Sequence, residues 1–183
     1  SGLLGMLRVI EQASAWREFE FRAYAVDPGS RFVGRGIADL ESSAPGARIF
    51  VEQVRSRGEI VAARDVKEFM PGDVLAVAGK RTTLVEVLEA PGSGLREVDD
   101  RELLELPSDV VDVVVTSKAI DGRKLSDVGQ DQAFRGVFLR KITRGATSTD
   151  IPIMAQTKLN RGDILKISGR KTHVQRVEKA LGY

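Results

Sequence analysis

Two Gly-Asp pairs are the strongest candidates for chemistry in this 183-residue sequence. The motif Gly72-Asp73-Val74-Leu75 returns later in the chain as Gly162-Asp163-Ile164-Leu165. An aspartate at such a position can bind a metal ion, or it can accept hydrogen bonds from backbone amides at a turn before a buried strand. Neither aspartate has neighbouring carboxylates at ligand spacing, so we expect both to be structural.

The other residues with catalytic potential do not form a recognisable catalytic or cofactor-binding motif. His173 is the only histidine and there is no cysteine, which removes the familiar zinc sites and Cys nucleophiles. Gly34-Arg35-Gly36 lacks the third glycine of a dinucleotide-binding turn. The adjacent carboxylates Asp99-Asp100 lie in an acidic segment rather than in a recognisable cleft. We therefore predict that the chain is not an enzyme and that it binds no metal and no cofactor.

Ligand binding is the chemistry that remains, and one predicted hairpin in the second half of the chain suits it. Successive side chains of a strand point to opposite faces, so some basic residues of the hairpin are expected to flank an apolar surface. Cationic groups beside apolar walls suit a nucleotide or another anionic metabolite. In the alternative interpretation the apolar residues are core and the arginines are solvated. The candidate ligand-binding residues are Val137, Arg140, Ile142, Arg144 and Ile153.

These motifs sit within an internal repeat. Gly34-Arg35-Gly36-Ile37 returns as Gly122-Arg123-Lys124-Leu125 at a register of 88 residues, whereas the Gly-Asp motif returns at 90. A two-residue insertion between the matched strands explains the difference. The pattern of apolar runs and turn residues predicts a β-α-β-β-β-α order in each copy. The predicted fold class is therefore α+β, with two tandem small domains that each contain a mixed sheet.

The repeat also predicts the domain organisation. Residues 1–20 are expected to form an amino-terminal helix, because apolar residues recur at a spacing of three. Residues 21–90 are the first domain, 91–110 an acidic linker, and 111–183 the second domain. Domains of this size lie near the lower limit for an independent core, so we expect the copies to pack together or to dimerise.

Charge is distributed unevenly between the two halves. The net charge is +2, but residues 1–110 carry −5 and residues 111–183 carry +7. A basic half raises nucleic acid as a partner. The bases are dispersed, however, and no aromatic stacking platform is evident, so we predict no nucleic-acid binding. No apolar run in the sequence is long enough to span a bilayer.

The second copy resembles a known regulatory domain. Gly122-Arg123-Lys124-Leu125, the strand from Gly136 to Ile142, Ile151-Pro152 and Gly162-Asp163-Ile164-Leu165 follow one another as in the TrkA C-terminal (RCK-C) domain. Residues 21–90 are a weaker instance of the same pattern.

Two such copies joined by an acidic segment resemble the central cytoplasmic loop of the aspartate:alanine exchanger family. This resemblance implies a regulatory, ligand-sensing segment at the cytoplasmic face of the inner membrane, attached to the membrane domains of the same transporter. It further implies a homodimer and an anionic small-molecule ligand such as a cyclic dinucleotide. The alternatives are a purely structural dimerisation module and an accessory regulatory subunit of a potassium channel or transporter.

Overall fold

A computed structural model of the chain describes residues 19–44 and 46–182. The described chain divides into two compact units, Phe19–Leu106 and a second that begins at Pro107. The predicted amino-terminal helix lies outside the described residues except at its end, where Glu20 already begins the first strand. Within the described ranges, no helix is long and apolar enough to cross a membrane.

The first unit is built on a five-stranded sheet with the order β3-β2-β4-β1-β5. Its strands are β1 (Glu20–Val26), β2 (Ile49–Ser56), β3 (Glu59–Ala62), β4 (Val74–Gly79) and β5 (Leu95–Val98). Its helices are α1 (Ile37–Glu41), α2 (Arg81–Thr83) and α3 (Arg101–Leu104), and α2 continues as a π-helical turn over Leu84–Leu88.

The second unit is built on a four-stranded sheet with the order β6-β9-β7-β8. Its strands are β6 (Ser108–Val114), β7 (Val137–Arg144), β8 (Thr149–Asp150) and β9 (Ile164–Arg170). Helix α4 (Leu125–Gln130) precedes β7, and α5 (Lys171–Gly182) follows β9. Helix α5 buries Val174, Val177 and Leu181 in the core of this unit.

The α+β class is confirmed, but the sheets are antiparallel rather than mixed. Every pair of neighbouring strands in the two sheets runs antiparallel. A mixed sheet would require two parallel strands to lie side by side, such as β1 and β2, which are joined through α1. Instead β4 is inserted between them, and β9 is inserted in the same way between β6 and β7. Each late strand thus separates two strands that would otherwise have formed a parallel pair.

The segment expected to be an acidic linker belongs to the first unit. Strand β5 pairs with β1, and Leu95 and Leu103 are buried. Leu103 lies on α3, and it forms a small apolar cluster with Ala23 and Ala76 of the sheet. The acidic composition of this stretch concealed the apolar positions that anchor it.

Polar contacts fix α3 in place. The Arg55 guanidinium bonds both carboxylate oxygens of Asp100, at 2.8 and 3.1 Å. Asp100 also caps the helix by accepting a hydrogen bond from the Leu103 amide. The Gln53 side chain donates to the Leu103 carbonyl at 2.8 Å. Strand β2 therefore holds both ends of this short helix.

Candidate functional site

The two Gly-Asp turns have the structural role that the sequence predicted. Asp73 and Asp163 are both buried. Each carboxylate accepts a hydrogen bond from the amide three residues earlier, Met70 at 2.9 Å and Asn160 at 2.8 Å. The preceding glycines have φ angles of 88° and 92°, which residues with a Cβ rarely adopt. No group of three or more acidic or histidine side chains in the described ranges is arranged to hold a metal ion.

Arg144, a candidate ligand-binding residue, is bound to the second of these turns. Its guanidinium forms a two-point ion pair with the Asp163 carboxylate, at 2.7 and 2.8 Å, and also donates to the Lys158 carbonyl. Burial raises the pKa of the Asp163 carboxyl, but hydrogen bonds from Arg144 and the Asn160 amide outweigh that effect and hold the pKa below its ordinary value. Arg144 therefore joins the end of β7 to the turn before β9.

The three apolar candidates lie in the core of the second unit. Val137, Ile142 and Ile153 are all buried and belong to one cluster with residues of α5 and β9. Their side chains pack within the protein and do not line an open surface. The predicted return strand of this hairpin is also short, because only Thr149 and Asp150 pair with β7.

Arg140 differs from the other four candidates. The pairing of β7 with β9 shifts between Leu139 and Lys141, so Arg140 is the extra residue of a β-bulge. It is partly exposed and forms no ion pair with the described residues. The neighbouring Lys141, by contrast, lies 3.6 Å from the Asp150 carboxylate. The structure therefore leaves Arg140 as the candidate best placed to meet a ligand, and the ligand-binding role of the five residues stays a prediction.

His173 is half-buried and packs against the loop before β7. Its Nδ1 lies 2.8 Å from one guanidinium nitrogen of Arg176. The other two nitrogens of that guanidinium donate to the carbonyls of Ala133 and Arg135. The imidazole ring covers Gly136, where any added Cβ would meet it. These contacts join α5 to the loop before β7.

A polar network on β1 was not predicted from the sequence. Arg22 lies 3.1 Å from both Glu89 and Glu97 and 3.4 Å from Glu20. The Tyr24 hydroxyl donates to Glu89, and burial together with that carboxylate raises the pKa of the tyrosine. Residues 20, 22 and 24 lie on the same face of the strand because successive side chains point to opposite faces. This spacing of two is the pattern from which the network could have been predicted. The network stabilises the edge of the first sheet.

Comparisons with known proteins show what the second unit is similar to. Residues 110–182 match the model of the TrkA-C domain family. The chain is similar to an uncharacterized transporter of Shewanella oneidensis, at 40% identity over 91% of this chain and 30% of that protein. It is also similar to one of Bradyrhizobium diazoefficiens, at 35% identity over 93% of this chain and 32% of that protein. The chain thus spans about a third of the length of these curated relatives.

A solved structure, titled as the crystal structure of the GsuK RCK domain, shows a distant likeness. The sequences are 10% identical over 88% of this chain and 63% of that chain, and the TM-score is 0.35. A score this low does not establish a shared fold. Residues 110–182, from β6 to α5, are similar to the TrkA-C domain family.

Proposed function

We propose that the chain is the cytosolic regulatory segment of an inner-membrane transporter. The observation that carries this proposal is the match of residues 110–182 to the TrkA-C domain model, in a chain whose relatives are named transporters and extend well beyond it. The membrane domains of the same transporter are then its partners. We further propose that this transporter resembles the aspartate:alanine exchangers, which the two motif copies joined by an acidic segment support.

We also propose that the first unit is a divergent copy of the same domain. In the first unit β4 lies between β1 and β2, and in the second unit β9 lies between β6 and β7, so both sheets share the same three-strand order. Both central pairs contain a bulge, at Glu52 in β2 and at Arg140 in β7. These two positions are 88 residues apart, as the repeat requires. The bulges thus occupy equivalent positions of the two copies. Because bulges tend to persist within families, this supports the origin of the two units by duplication of one domain.

Regulation would work through a shift between conformations. A ligand that binds one arrangement of a dimer of such domains more tightly than another favours that arrangement, by no more than the difference in binding free energy. The attached membrane domains would follow that shift. Arg140 is the residue we assign to an anionic ligand, because its guanidinium is partly exposed at a bulge and has no carboxylate partner among the described residues.

Thermal unfolding of the chain against a panel of compounds tests this proposal. The panel contains cyclic dinucleotides, ATP, aspartate, alanine, potassium and calcium. We expect a saturable rise in Tm with one anionic compound, because a ligand selective for the native state must stabilise it. The rise should be lost in Arg140→Ala and kept in Lys179→Ala, which removes an exposed base from α5. Arg144→Ala is unsuitable for this purpose, because it breaks the ion pair with Asp163.

A flat response across the panel, together with a stable dimer, would contradict ligand sensing. The same result would favour a purely structural dimerisation module. Oligomeric state measured by sedimentation would then be the deciding quantity.

A further inference from the structure

One arginine of the repeat is paired in the second unit and unpaired in the first. Arg123, at the loop before α4, lies 3.3 Å from the Asp131 carboxylate, which follows the end of that helix. Arg35 is the matching residue 88 positions earlier, and the position that matches Asp131 is Ser43. No carboxylate pairs with Arg35 among the residues that the structure describes. The first unit thus retains the guanidinium but lacks the acid that neutralises it in the second.

A groove lies where that acid would be. It has a volume of about 230 Å³ and is lined by Arg31, Phe32, Arg35, Asp39 and Ser43. The volume falls short of the roughly 300–1,000 Å³ of pockets for drug-sized molecules, which favours a small metabolite over a nucleotide. Two guanidiniums in one groove suit an oxyanion, and the planar fork of arginine matches a carboxylate in particular.

The second guanidinium is held by an aromatic ring. The central carbon of the Arg31 guanidinium lies 4.8 Å from the centre of the Phe32 ring, and Phe32 is buried. This stacking restrains Arg31 while leaving its N–H donors at the edge of the cation available. Arg31, like Arg35, is exposed and has no ion-pair partner in the described ranges. Residues 19–106 contain 16 acidic and 12 basic residues, so the first unit as a whole is acidic. Within the described residues, Arg31 and Arg35 are thus unpaired cations in a unit with an excess of carboxylates.

The backbone beneath the groove is fixed. Gly34 donates to the Phe69 carbonyl and Phe69 donates to the Arg35 carbonyl, both at 2.8 Å. The buried Ser30 hydroxyl donates to the Ser93 carbonyl at 2.7 Å. A loop held by such contacts presents its arginines in a preformed arrangement, which lowers the entropy cost of binding.

From these observations we propose that the groove binds the carboxylate of a small organic acid. The ligand carboxylate would occupy, beside Arg35, the place that Asp131 takes beside Arg123. Asp39 forms an acidic wall, so an amino acid that carries an ammonium group is one source of the carboxylate and a simple dicarboxylate is the other. The site lies in the first unit, whereas Arg140 belongs to the second, and the proposal does not depend on the role proposed for that residue.

Nuclear magnetic resonance titration of the ¹⁵N-labelled chain tests the proposal. The probes are glutarate, glutamate and inorganic phosphate, of which the first two differ by one ammonium group. We expect saturable shifts with glutarate or glutamate, confined to the amides of residues 31–36 and 43 and to the side-chain Nε–H signals of Arg31 and Arg35. Tighter binding of glutamate than of glutarate would identify the amino acid as the source, and the reverse would identify the dicarboxylate.

Three variants make the test specific. Arg35→Gln should weaken binding tenfold or more, because it removes a charge-assisted hydrogen-bond donor. Ser43→Asp should also abolish binding, since it installs the acid that the second unit has. Arg64→Gln, which removes an exposed arginine elsewhere in the first unit, should leave the affinity unchanged.

Shifts that persist in both Arg35→Gln and Ser43→Asp would overturn the proposal, as would binding of phosphate without either carboxylate. Absence of saturable shifts with any of the probes would overturn it as well. All the substituted residues are partly or fully exposed, so the spectrum outside the groove serves as the check that each variant is folded. Arg140→Ala should retain the shifts, which separates failure of this site from failure of the proposed sensing function.

Discussion

At the scale of single residues, one ion pair distinguishes the two Gly-Asp turns. Both aspartates accept a backbone hydrogen bond, but only Asp163 also binds an arginine. Its carboxylate is buried, whereas the Arg144 side chain is about one third exposed, so solvent screening reduces the strength of the pair. The second turn therefore depends on charge in a way that the first does not.

Replacement of Asp163 by Asn tests that difference. We expect a loss of about 2 to 3 kcal/mol in the free energy of unfolding, because the charged hydrogen bonds from Arg144 are lost. The matched change Asp73→Asn should cost about 1 kcal/mol, since it weakens a backbone hydrogen bond only. Urea unfolding of the chain measures both, and equal losses would contradict the assigned role of Arg144.

The pH dependence of stability should differ as well. The pKa of Asp163 is lower in the folded protein than in the unfolded chain, so its stabilisation is present above the unfolded pKa and is lost as the pH falls. Stability of the wild-type chain should decline below about pH 4, where aspartates of the unfolded chain become protonated. Asp163→Asn should flatten that decline.

At the scale of elements, β5 depends on a close contact at its start. Gly94, directly before β5, has a φ angle of 70°, and a Cβ there would overlap the backbone of Ser30. The Gly94 carbonyl accepts a hydrogen bond from the Asp27 amide at 2.9 Å. Gly92 also has a positive φ, of 88°, but a Cβ there would have open space around it. A substitution at Gly92 therefore adds backbone strain alone, whereas one at Gly94 adds both backbone strain and steric overlap with Ser30.

Substitution of each glycine by alanine tests the docking of β5. Both variants should lose about 1 to 2 kcal/mol from the unfavourable φ angle. Gly94→Ala should lose about 1 to 3 kcal/mol more, because the added methyl group displaces the turn that contains Ser30. Denaturant unfolding gives both values. Identical losses would mean that β5 is not packed against this turn.

At the scale of the whole molecule, the boundary between the units lies at Leu106 and Pro107 rather than at either end of an acidic linker. Residues 91–106 supply the edge strand of the first sheet and the helix that covers Ala23 and Ala76. Small domains have little apolar area to spare, so loss of these elements is serious.

Fragments of the chain test this boundary. Residues 19–106 should unfold cooperatively in urea, whereas residues 19–90 should not, because they leave the outer face of the sheet uncovered. Residues 107–183 should unfold cooperatively on their own, since their core is complete without the first unit. A fragment 19–90 as stable as 19–106 would restore the linker interpretation.

The sequence by itself determined what depends on neighbouring residues. The Gly-Asp turns, the positive φ of their glycines, the α+β class and the TrkA-C motif order all follow from short patterns. In these patterns the residues that make the contact lie within a few positions of one another. Asp163 accepts its backbone hydrogen bond from Asn160, three residues away, and the sequence predicted a bond to a backbone amide of this turn without naming the donor.

The tertiary structure alone decided the contacts between distant residues. The insertion of β4 between β1 and β2, the docking of α3 through Arg55 and Asp100, and the pair of Arg144 with Asp163 join residues that are 19 or more positions apart. Strand β7 contains both apolar and basic residues, yet only the fold shows that Ile142 faces the core and that Arg140 occupies a bulge. A side chain's accessibility depends on which strands and helices pack against it, and that packing is a property of the assembled sheet rather than of its separate strands.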